Sequence, residues 1–381
     1  MLRLHLIIYI AFCLIVGSCG KKGTPHLFSY ERTDFVGDTI QMKYAEHITM
    51  VRYTDHVEVA LKDPWHEGKE LARYCLWMKD DGGRMKDEGG ICLPLKRNIV
   101  FNTAHASLLQ MLGALDAIKG VADLKYMNLP AVKGRVRKGV CLDCGDSMNP
   151  DIETMVELGA DAVWLSPFEN SGGYGRLEKL GVPLVVCADY METSALGRAE
   201  WMKFYGLLVG KEREADSLFA VVECNYHQLK KQACQGSAHR SVLTERLTGS
   251  TWYVPGGKSS MGRLLQDAGA RYAWEEDEHS GSLSLSFETI LDKAGDADLW
   301  VFNDMGAEPP TYQRLLSEFG GYAQLKAFCN HQVYYVNSLQ VPYFEEVSFR
   351  PDWLLQDYVS IVSGSEQNPQ LRYLRRVRND E

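Results

Sequence analysis

Two features of the sequence could bind or transform a small molecule: a Cys-x-x-Cys pair and a histidine that follows a short apolar run. Cys141-Leu-Asp-Cys144 has the spacing of a redox pair or of half a zinc site. No second Cys/His pair stands out to complete a zinc site, and the polar residues that follow predict a loop, so a local disulfide or two ordinary thiols is favoured. His105 could be an axial metal ligand or a hydrogen-bond donor to a chelate, although a lone loop histidine is more often a structural partner.

Two glycine-rich stretches, residues 172–175 and 255–260, invite comparison with phosphate-binding loops. Neither has the G-x-x-x-x-G-K-[ST] spacing, and the second is better interpreted as a tight loop with Ser259 or Ser260 capping a helix. No nucleophile elbow, no HExxH motif and no paired carboxylates are found. The sequence therefore predicts no catalytic residues and no protein-held metal or cofactor. A chelatase-like enzyme that uses His105, Asp143 and the cysteine pair remains an alternative.

Alternation of short apolar strands with helices predicts the elements that position these residues. Strands are expected at residues 98–101, 139–140, 161–165 and 183–187, and again at 241–244, 299–302 and 333–336. Between the two sets the pattern is only helical, with an apolar stripe over 211–234 that predicts one helix about 36 Å long. The fold class is α/β: two Rossmann-like lobes with parallel sheets, joined by a long inter-lobe helix. Residues 28–90 predict a small β-rich elaboration.

Ligands of open α/β lobes bind at the carboxyl ends of the strands, and flat polarisable ligands favour aromatic walls there. Loops at these ends select the candidate ligand-binding residues, which are His105, Phe168, Tyr174, Tyr190, Trp252, Tyr253, Ser259, Asn303 and Tyr343.

The amino terminus is typical of an export signal. Arg3 precedes an apolar run that is too short to span a bilayer and that ends in small residues. Residues 16–19 (VGSC) look like the lipobox of bacterial lipoproteins, in which the cysteine, here Cys19, is acylated after cleavage; an ordinary secretory signal is the alternative. Several acyl chains would anchor the protein stably, facing the periplasm, on the bacterial cell membrane or the outer membrane.

Composition excludes two broad classes of protein. With 45% hydrophobic residues among 381, the chain can bury enough apolar surface to fold, which argues against disorder. A formal charge of −9 argues against a general nucleic-acid binder, which needs a basic face. The expected organisation is a signal peptide (1–18), a tether (19–27), an N-terminal lobe (28–195), a helical linker (196–236) and a C-terminal lobe (237–381).

Four segments, in this order, resemble the metal-chelate class of ABC-importer substrate-binding proteins. They are residues 102–121 (NTAHASLLQMLGALDAIKGV), 148–163 (MNPDIETMVELGADAV), 174–186 (YGRLEKLGVPLVV) and 350–357 (RPDWLLQD). Each fragment alone is weak, but together they surround the inter-lobe helix as in that family. The resemblance implies a non-enzymatic lipoprotein that holds an iron chelate, a siderophore or haem, in the groove between lobes that close by a small angle. Cobalamin is the next candidate, followed by an oxyanion such as molybdate, and a structural lipoprotein that has lost ligand binding is a further alternative.

The resemblance also implies the partners, an ABC permease and its ATPase. Members of this class dock on the permease through one surface acid per lobe, and Glu153 matches the first-lobe position. The second acid would fall near residues 258–262, where this sequence (KSSMG) has none.

Overall fold

The computed structural model describes residues 37–78, 90–168, 174–236, 239–364 and 370–378. The expected signal peptide, the tether and Cys19 lie outside this part of the chain. Within it, no helix combines the length and the hydrophobicity that crossing a membrane requires.

The N-terminal elaboration is a five-stranded sheet with strand order β1-β2-β3-β4-β5. Neighbouring strands of this sheet pair antiparallel, except β4 and β5, which pair parallel. The alternation of apolar and polar residues that predicts strands here is confirmed, because β3 buries every second side chain against the core. The strands are β1 (Asp38–Ile40), β2 (Ile48–Arg52), β3 (His56–Lys62), β4 (Glu70–Met78) and β5 (Ile91–Leu93).

Two buried carboxylates fasten this sheet to the rest of the molecule. Glu200 accepts the backbone N–H groups of Lys43, Tyr44 and Ala45 at 2.7–3.0 Å. Glu192 accepts those of residues 46 and 47 at 2.9–3.1 Å. Since buried carboxylates are stable only when hydrogen-bonded, these contacts fix the turn between β1 and β2 on residues 192–200, which contain the first helix after the first lobe.

The first lobe is built on a parallel five-stranded sheet. Its strands and helices are β6 (Asn98–Val100), α1 (Thr103–Met111), β7 (Ile118–Val121), α2 (Pro130–Arg137), β8 (Leu142–Asp143), β9 (Gly145–Asp146), β10 (Asn149–Pro150), α3 (Ile152–Leu158), β11 (Ala162–Leu165) and β12 (Leu184–Val186). The sheet order is β12-β11-β6-β7-β8, and β9 and β10 form a small hairpin. All four side chains of β11 are buried, as expected of a parallel strand covered on both faces.

One expected helix in this lobe is shorter than the sequence suggests. Residues 174–180 predict an α-helix, but only a 3-10 turn forms at Leu177–Leu180. Gly175 and Gly181 bracket it with positive φ angles of 55° and 66°, which end a right-handed helix at both sides.

Three helices follow the first lobe, α4 (Ala195–Glu200), α5 (Met202–Leu208) and α6 (Glu212–Gln235). The prediction of one long helix over 211–234 is confirmed to within a residue at each end. Its buried side chains repeat at three- and four-residue steps and are Ala215, Phe219, Val222, Tyr226, Leu229 and Ala233.

The second lobe has a four-stranded sheet in the order β13-β17-β18-β19, parallel except for the last strand. A separate antiparallel sheet, β14-β15-β16, lies beside it. The elements are β13 (Val242–Thr244), β14 (Leu247–Thr248), β15 (Thr251–Pro255), α7 (Ser260–Asp267), β16 (Ser282–Leu285), α8 (Phe287–Ala294), β17 (Leu299–Asp304), α9 (Tyr312–Glu318), α10 (Lys326–Cys329), β18 (Val333–Asn337), α11 (Tyr343–Glu346), α12 (Pro351–Ser363) and β19 (Arg375–Arg376). Both lobes are thus α/β units with parallel sheets, which confirms the predicted fold class.

Candidate functional site

Two cavities open where the carboxyl ends of the strands of both lobes face each other. The larger, about 510 Å³, lies on the second lobe, and the smaller, about 320 Å³, lies on the first. Arg198, Phe344 and Val347 line both cavities, so the two are parts of one cleft. These volumes fall in the range of small-molecule sites, which is about 300–1,000 Å³.

Three of the predicted ligand-binding residues line the larger cavity: Tyr253, Asn303 and Tyr343. Tyr253 lies on β15 with 45% of its surface exposed. Asn303 is near the carboxyl end of β17, and Tyr343 begins α11. The cleft therefore gathers residues from three separate elements of the second lobe.

Trp252 and Ser259 do not reach the cleft, which corrects their expected role. β15 is a strand and not the loop that its sequence suggests, so Trp252 and Tyr253 point to opposite faces. The Trp252 side chain is fully buried, and its indole N–H donates to the Thr244 carbonyl at 2.8 Å. The Ser259 hydroxyl is also engaged, since it accepts the Gly262 N–H at 3.0 Å and donates to the Gly256 carbonyl at 2.7 Å. Ser259 is the cap of α7.

His105 is likewise a core residue and not a ligand contact. It lies on α1, 2% exposed, with its Nε2 2.7 Å from Asp189 Oδ1. The Tyr205 hydroxyl donates to the same carboxylate at 2.8 Å. Burial opposes the charged forms of His105 and Asp189. At His105 the neighbouring Cys187 and Asp189 together outweigh it and raise the pKa, and at Asp189 the charge of His105, with Arg198 and Tyr205, outweighs it and lowers the pKa. The geometry is that of a buried ion pair.

The three remaining aromatic candidates line neither of the two cavities that the described residues form. Phe168 is half exposed at the edge of a segment, 169–173, that lies outside the described residues. The Tyr190 hydroxyl donates to the Pro167 carbonyl, and Tyr174 packs against the hydrophobic core of the first lobe. Their assignment to the ligand remains a prediction.

Cys141 and Cys144 are buried thiols that form no disulfide. Burial raises the pKa of Cys141 to about 11 and that of Cys144 to about 12, which makes both poor thiolate donors. In the part of the chain that the structure describes, no three His, Cys, Asp or Glu side chains are grouped to hold a metal ion.

The cleft residues that were not predicted from the sequence include Arg198, Glu245, Arg246 and Phe344. Glu245 and Arg246 directly follow β13. The strand-end rule, that ligands bind at the carboxyl ends of strands, selects both residues once the loop after β13 is included. Phe344 adjoins a predicted residue and is 47% exposed. Arg198 lies inside α4 and follows no strand, so no signal in the sequence marks it.

The two arginines of the cleft differ in how far their charge is neutralised. Arg246 donates to Asp304 and to Glu318, both at 2.9 Å, and its guanidinium lies over the Phe302 ring. Among the described residues, Arg198 donates one side-chain hydrogen bond, from its Nε to Asp189 at 3.2 Å. The His105–Asp189 pair thus positions Arg198, which lines both cavities.

The fold and the cleft agree with the comparisons to known proteins. An uncharacterised lipoprotein of Methanocaldococcus jannaschii is 23% identical over 350 residues, 84% of this chain and 81% of the relative. Among solved structures, a possible iron-binding (periplasmic solute-binding) protein of Staphylococcus epidermidis matches with a TM-score of 0.57 and 20% identity, over 71% of this chain and 99% of that one. A periplasmic heme-binding protein of Pseudomonas aeruginosa matches with a TM-score of 0.57 and 16% identity, over 74% and 97%.

The family model named periplasmic binding protein matches residues 99–338, more than half of the sequence. Its members are substrate-binding transport proteins and not enzymes. The chain belongs to the periplasmic binding protein family.

Proposed function

We propose that this protein is the substrate-binding lipoprotein of an ABC importer, which captures an iron chelate, a siderophore or haem, between its lobes and delivers it to the permease. The single observation that carries the proposal is the cleft shared by both lobes, lined by Tyr253, Tyr343 and Phe344 and by Arg198. Aromatic faces suit flat or polarisable chelates, and the guanidinium suits their oxygen atoms. Two structural neighbours, named as a possible iron-binding protein and a heme-binding protein, point the same way.

A titration of the mature protein with ferric siderophores, haemin, cyanocobalamin and molybdate tests this function. Tryptophan fluorescence or a thermal shift reports binding. We expect a saturable response to a ferric siderophore or to haemin. A response only to cyanocobalamin or to molybdate would move the assignment to those ligands, and no response to any of the four classes would contradict the proposal.

Truncating the aromatic wall should weaken binding of whichever chelate responds. Phe344→Ala and Tyr253→Ala each remove a ring that lines the cleft, and we expect each to raise Kd by roughly threefold to tenfold, from about 0.5–1.5 kcal/mol of lost ring contact. Val221→Ala is the matched control, since Val221 is 51% exposed on α6, outside both cavities. Equal affinity in all three variants would place the ligand elsewhere.

Delivery to the permease should depend on Glu153, which is exposed in the first turn of α3. We expect Glu153→Lys to reduce chelate-dependent ATPase activity of the reconstituted transporter while Kd for the chelate is unchanged, because the change reverses the charge offered to the permease. Glu157→Lys, one turn further along the same exposed face, is the control. Identical losses in both variants would indicate a non-specific charge effect and contradict docking through Glu153.

The anchor is part of the same proposal. The name of the relative from Methanocaldococcus jannaschii, a lipoprotein, supports acylation at Cys19. Mass spectrometry of the mature amino terminus should find a lipid-modified Cys19, and an unmodified residue there would refute the anchor.

A further inference from the structure

A carboxylate of the second lobe is held inside the larger cavity by an unusual backbone. Glu245 directly follows β13 and lines the cavity. Its φ angle is 62°, in the left-handed region that residues other than glycine rarely adopt. Two hydrogen bonds hold this backbone. The Glu245 N–H donates to the Val301 carbonyl at 2.8 Å, and the Trp300 indole N–H donates to the Glu245 carbonyl at 2.7 Å. Strained positions of this kind tend to occur where function requires a particular side-chain direction.

The neighbouring cation is already committed to other carboxylates. The two terminal nitrogens of Arg246 donate hydrogen bonds to the carboxylates of Glu318 and Asp304, both at 2.9 Å. Glu245 keeps an exposed surface towards the cavity, but the surrounding wall desolvates its carboxyl and raises its pKa, although the Asn303 backbone N–H and the charge of Arg246 oppose the change. Glu245 therefore lacks full compensation for its charge within the protein.

A second acceptor lies in the same wall. Asn303 lines the cavity, and its side-chain oxygen, Oδ1, is buried without a hydrogen-bond partner among the described residues. Buried acceptors are nearly always paired, and an unpaired one costs about 1–3 kcal/mol. The oxygen has almost no accessible surface in this side-chain conformation, so a ligand donor would satisfy it once the Asn303 side chain turns towards the cavity.

Arg198 lines this cavity as well, on the first-lobe side, and supplies donors where Glu245 and Asn303 supply acceptors. The cleft is therefore bipolar. A ligand that carries only negative charge would complement Arg198 but would place its own charge beside Glu245.

We infer that the cavity selects a ferric chelate with a pendant protonated amine, which binds Glu245 and Asn303 while the oxygen atoms of the chelate face Arg198. This inference rests on the proposed function and narrows its substrate class to ammonium-bearing chelates. An ammonium group offers three donors and a full positive charge, which together match one carboxylate and one amide oxygen.

Ferrioxamine B and its N-acetyl derivative are matched probes, because they hold iron in the same trihydroxamate frame and differ only in the terminal ammonium. Titration of the mature protein should give a Kd for ferrioxamine B at least about tenfold lower than for the acetylated chelate, as expected for a close charge pair in a cleft that is partly closed to water. Haemin and a ferric catecholate are titrated alongside as chelates that carry no ammonium.

Three variants identify the residue responsible. Glu245→Gln keeps the shape of the side chain and removes its charge, so it should abolish the preference for ferrioxamine B. Glu245→Asn gives the same readout in a residue that tolerates the left-handed backbone, should the first variant fold poorly. Glu276→Gln is the control, since Glu276 is exposed and lies outside both cavities. It should keep the preference intact.

The outcomes separate this inference from the proposed function. Tighter binding of haemin or of the catecholate than of ferrioxamine B, equal binding of the two ferrioxamines, or a preference that survives in folded Glu245→Asn each overturns the ammonium assignment and leaves a chelate-binding protein. No binding of any chelate overturns both.

Discussion

Replacing His105 by leucine should lower the free energy of unfolding by about 3 kcal/mol, the lower end of what breaking a buried ion pair costs. The loss is large because Asp189, 1% exposed, would keep its charge without its closest cationic partner. It stays at the lower end because the Tyr205 hydroxyl and the Arg198 Nε still donate to the carboxylate, at 2.8 and 3.2 Å. Urea unfolding at neutral pH measures the change. His279→Leu, which alters a histidine that is 70% exposed, is the control.

The pH dependence of this loss follows from the directions of the two pKa shifts. The pKa of His105 is raised on folding. Its contribution to the free energy of unfolding is therefore complete below the unfolded-state pKa of about 6.5 and is lost as the pH rises through the folded-state pKa. The pKa of Asp189 is lowered, so its contribution is complete above about 3.9 and is lost as the pH falls. The stability gap between wild type and His105→Leu should therefore be widest between about pH 4 and 6.5. A gap that does not change with pH would contradict the ion pair.

Trp252→Ala should cost about 3–5 kcal/mol of stability and leave chelate affinity nearly unchanged. The ring of Trp252 is fully buried and lies 5.9–6.3 Å, centroid to centroid, from Phe287, Trp300 and Tyr322. Its removal opens a cavity in this aromatic cluster and leaves the Thr244 carbonyl without the indole donor. Thermal or urea unfolding gives the stability, and titration with the responding chelate gives the affinity.

Tyr253→Ala is the matched comparison, because Tyr253 is the next residue of the same strand and points to the opposite face. It should show the reverse pattern, with small loss of stability and weaker binding. If Trp252→Ala weakened binding in protein that is still folded, while Tyr253→Ala did not, the orientation of β15 described above would be wrong.

The fold was largely predictable because its signals are local. The inter-lobe helix appears in the sequence as an apolar stripe, and parallel strands appear as short apolar runs such as residues 162–165. The failures have two causes, a weak local signal and a pairing between distant segments. α2 begins at a proline, but only Val132 of it is buried, so it leaves no apolar stripe to detect. The sheet β14-β15-β16 joins strands that are separated by α7, a pairing that no local pattern reveals.

The site was less predictable, because lining a cleft depends on side-chain direction and on tertiary contacts. Tyr253, Asn303 and Tyr343 follow from the strand-end rule, and they do line the larger cavity. The same rule selects His105, whose ring is turned into the core by Asp189, a partner 84 positions away in sequence. Arg198 belongs to the linker helices, and only the packing of both lobes shows that it faces the cleft.

The most direct test of the account is to locate the iron of a bound chelate. Crystals of the mature protein grown with the responding ferric chelate should give one anomalous difference peak at the iron edge. We predict that this peak lies in the cleft, between Arg198 on one side and Tyr253 and Phe344 on the other. A peak outside the cleft, or a bound chelate that contacts only one lobe, would contradict capture between the lobes.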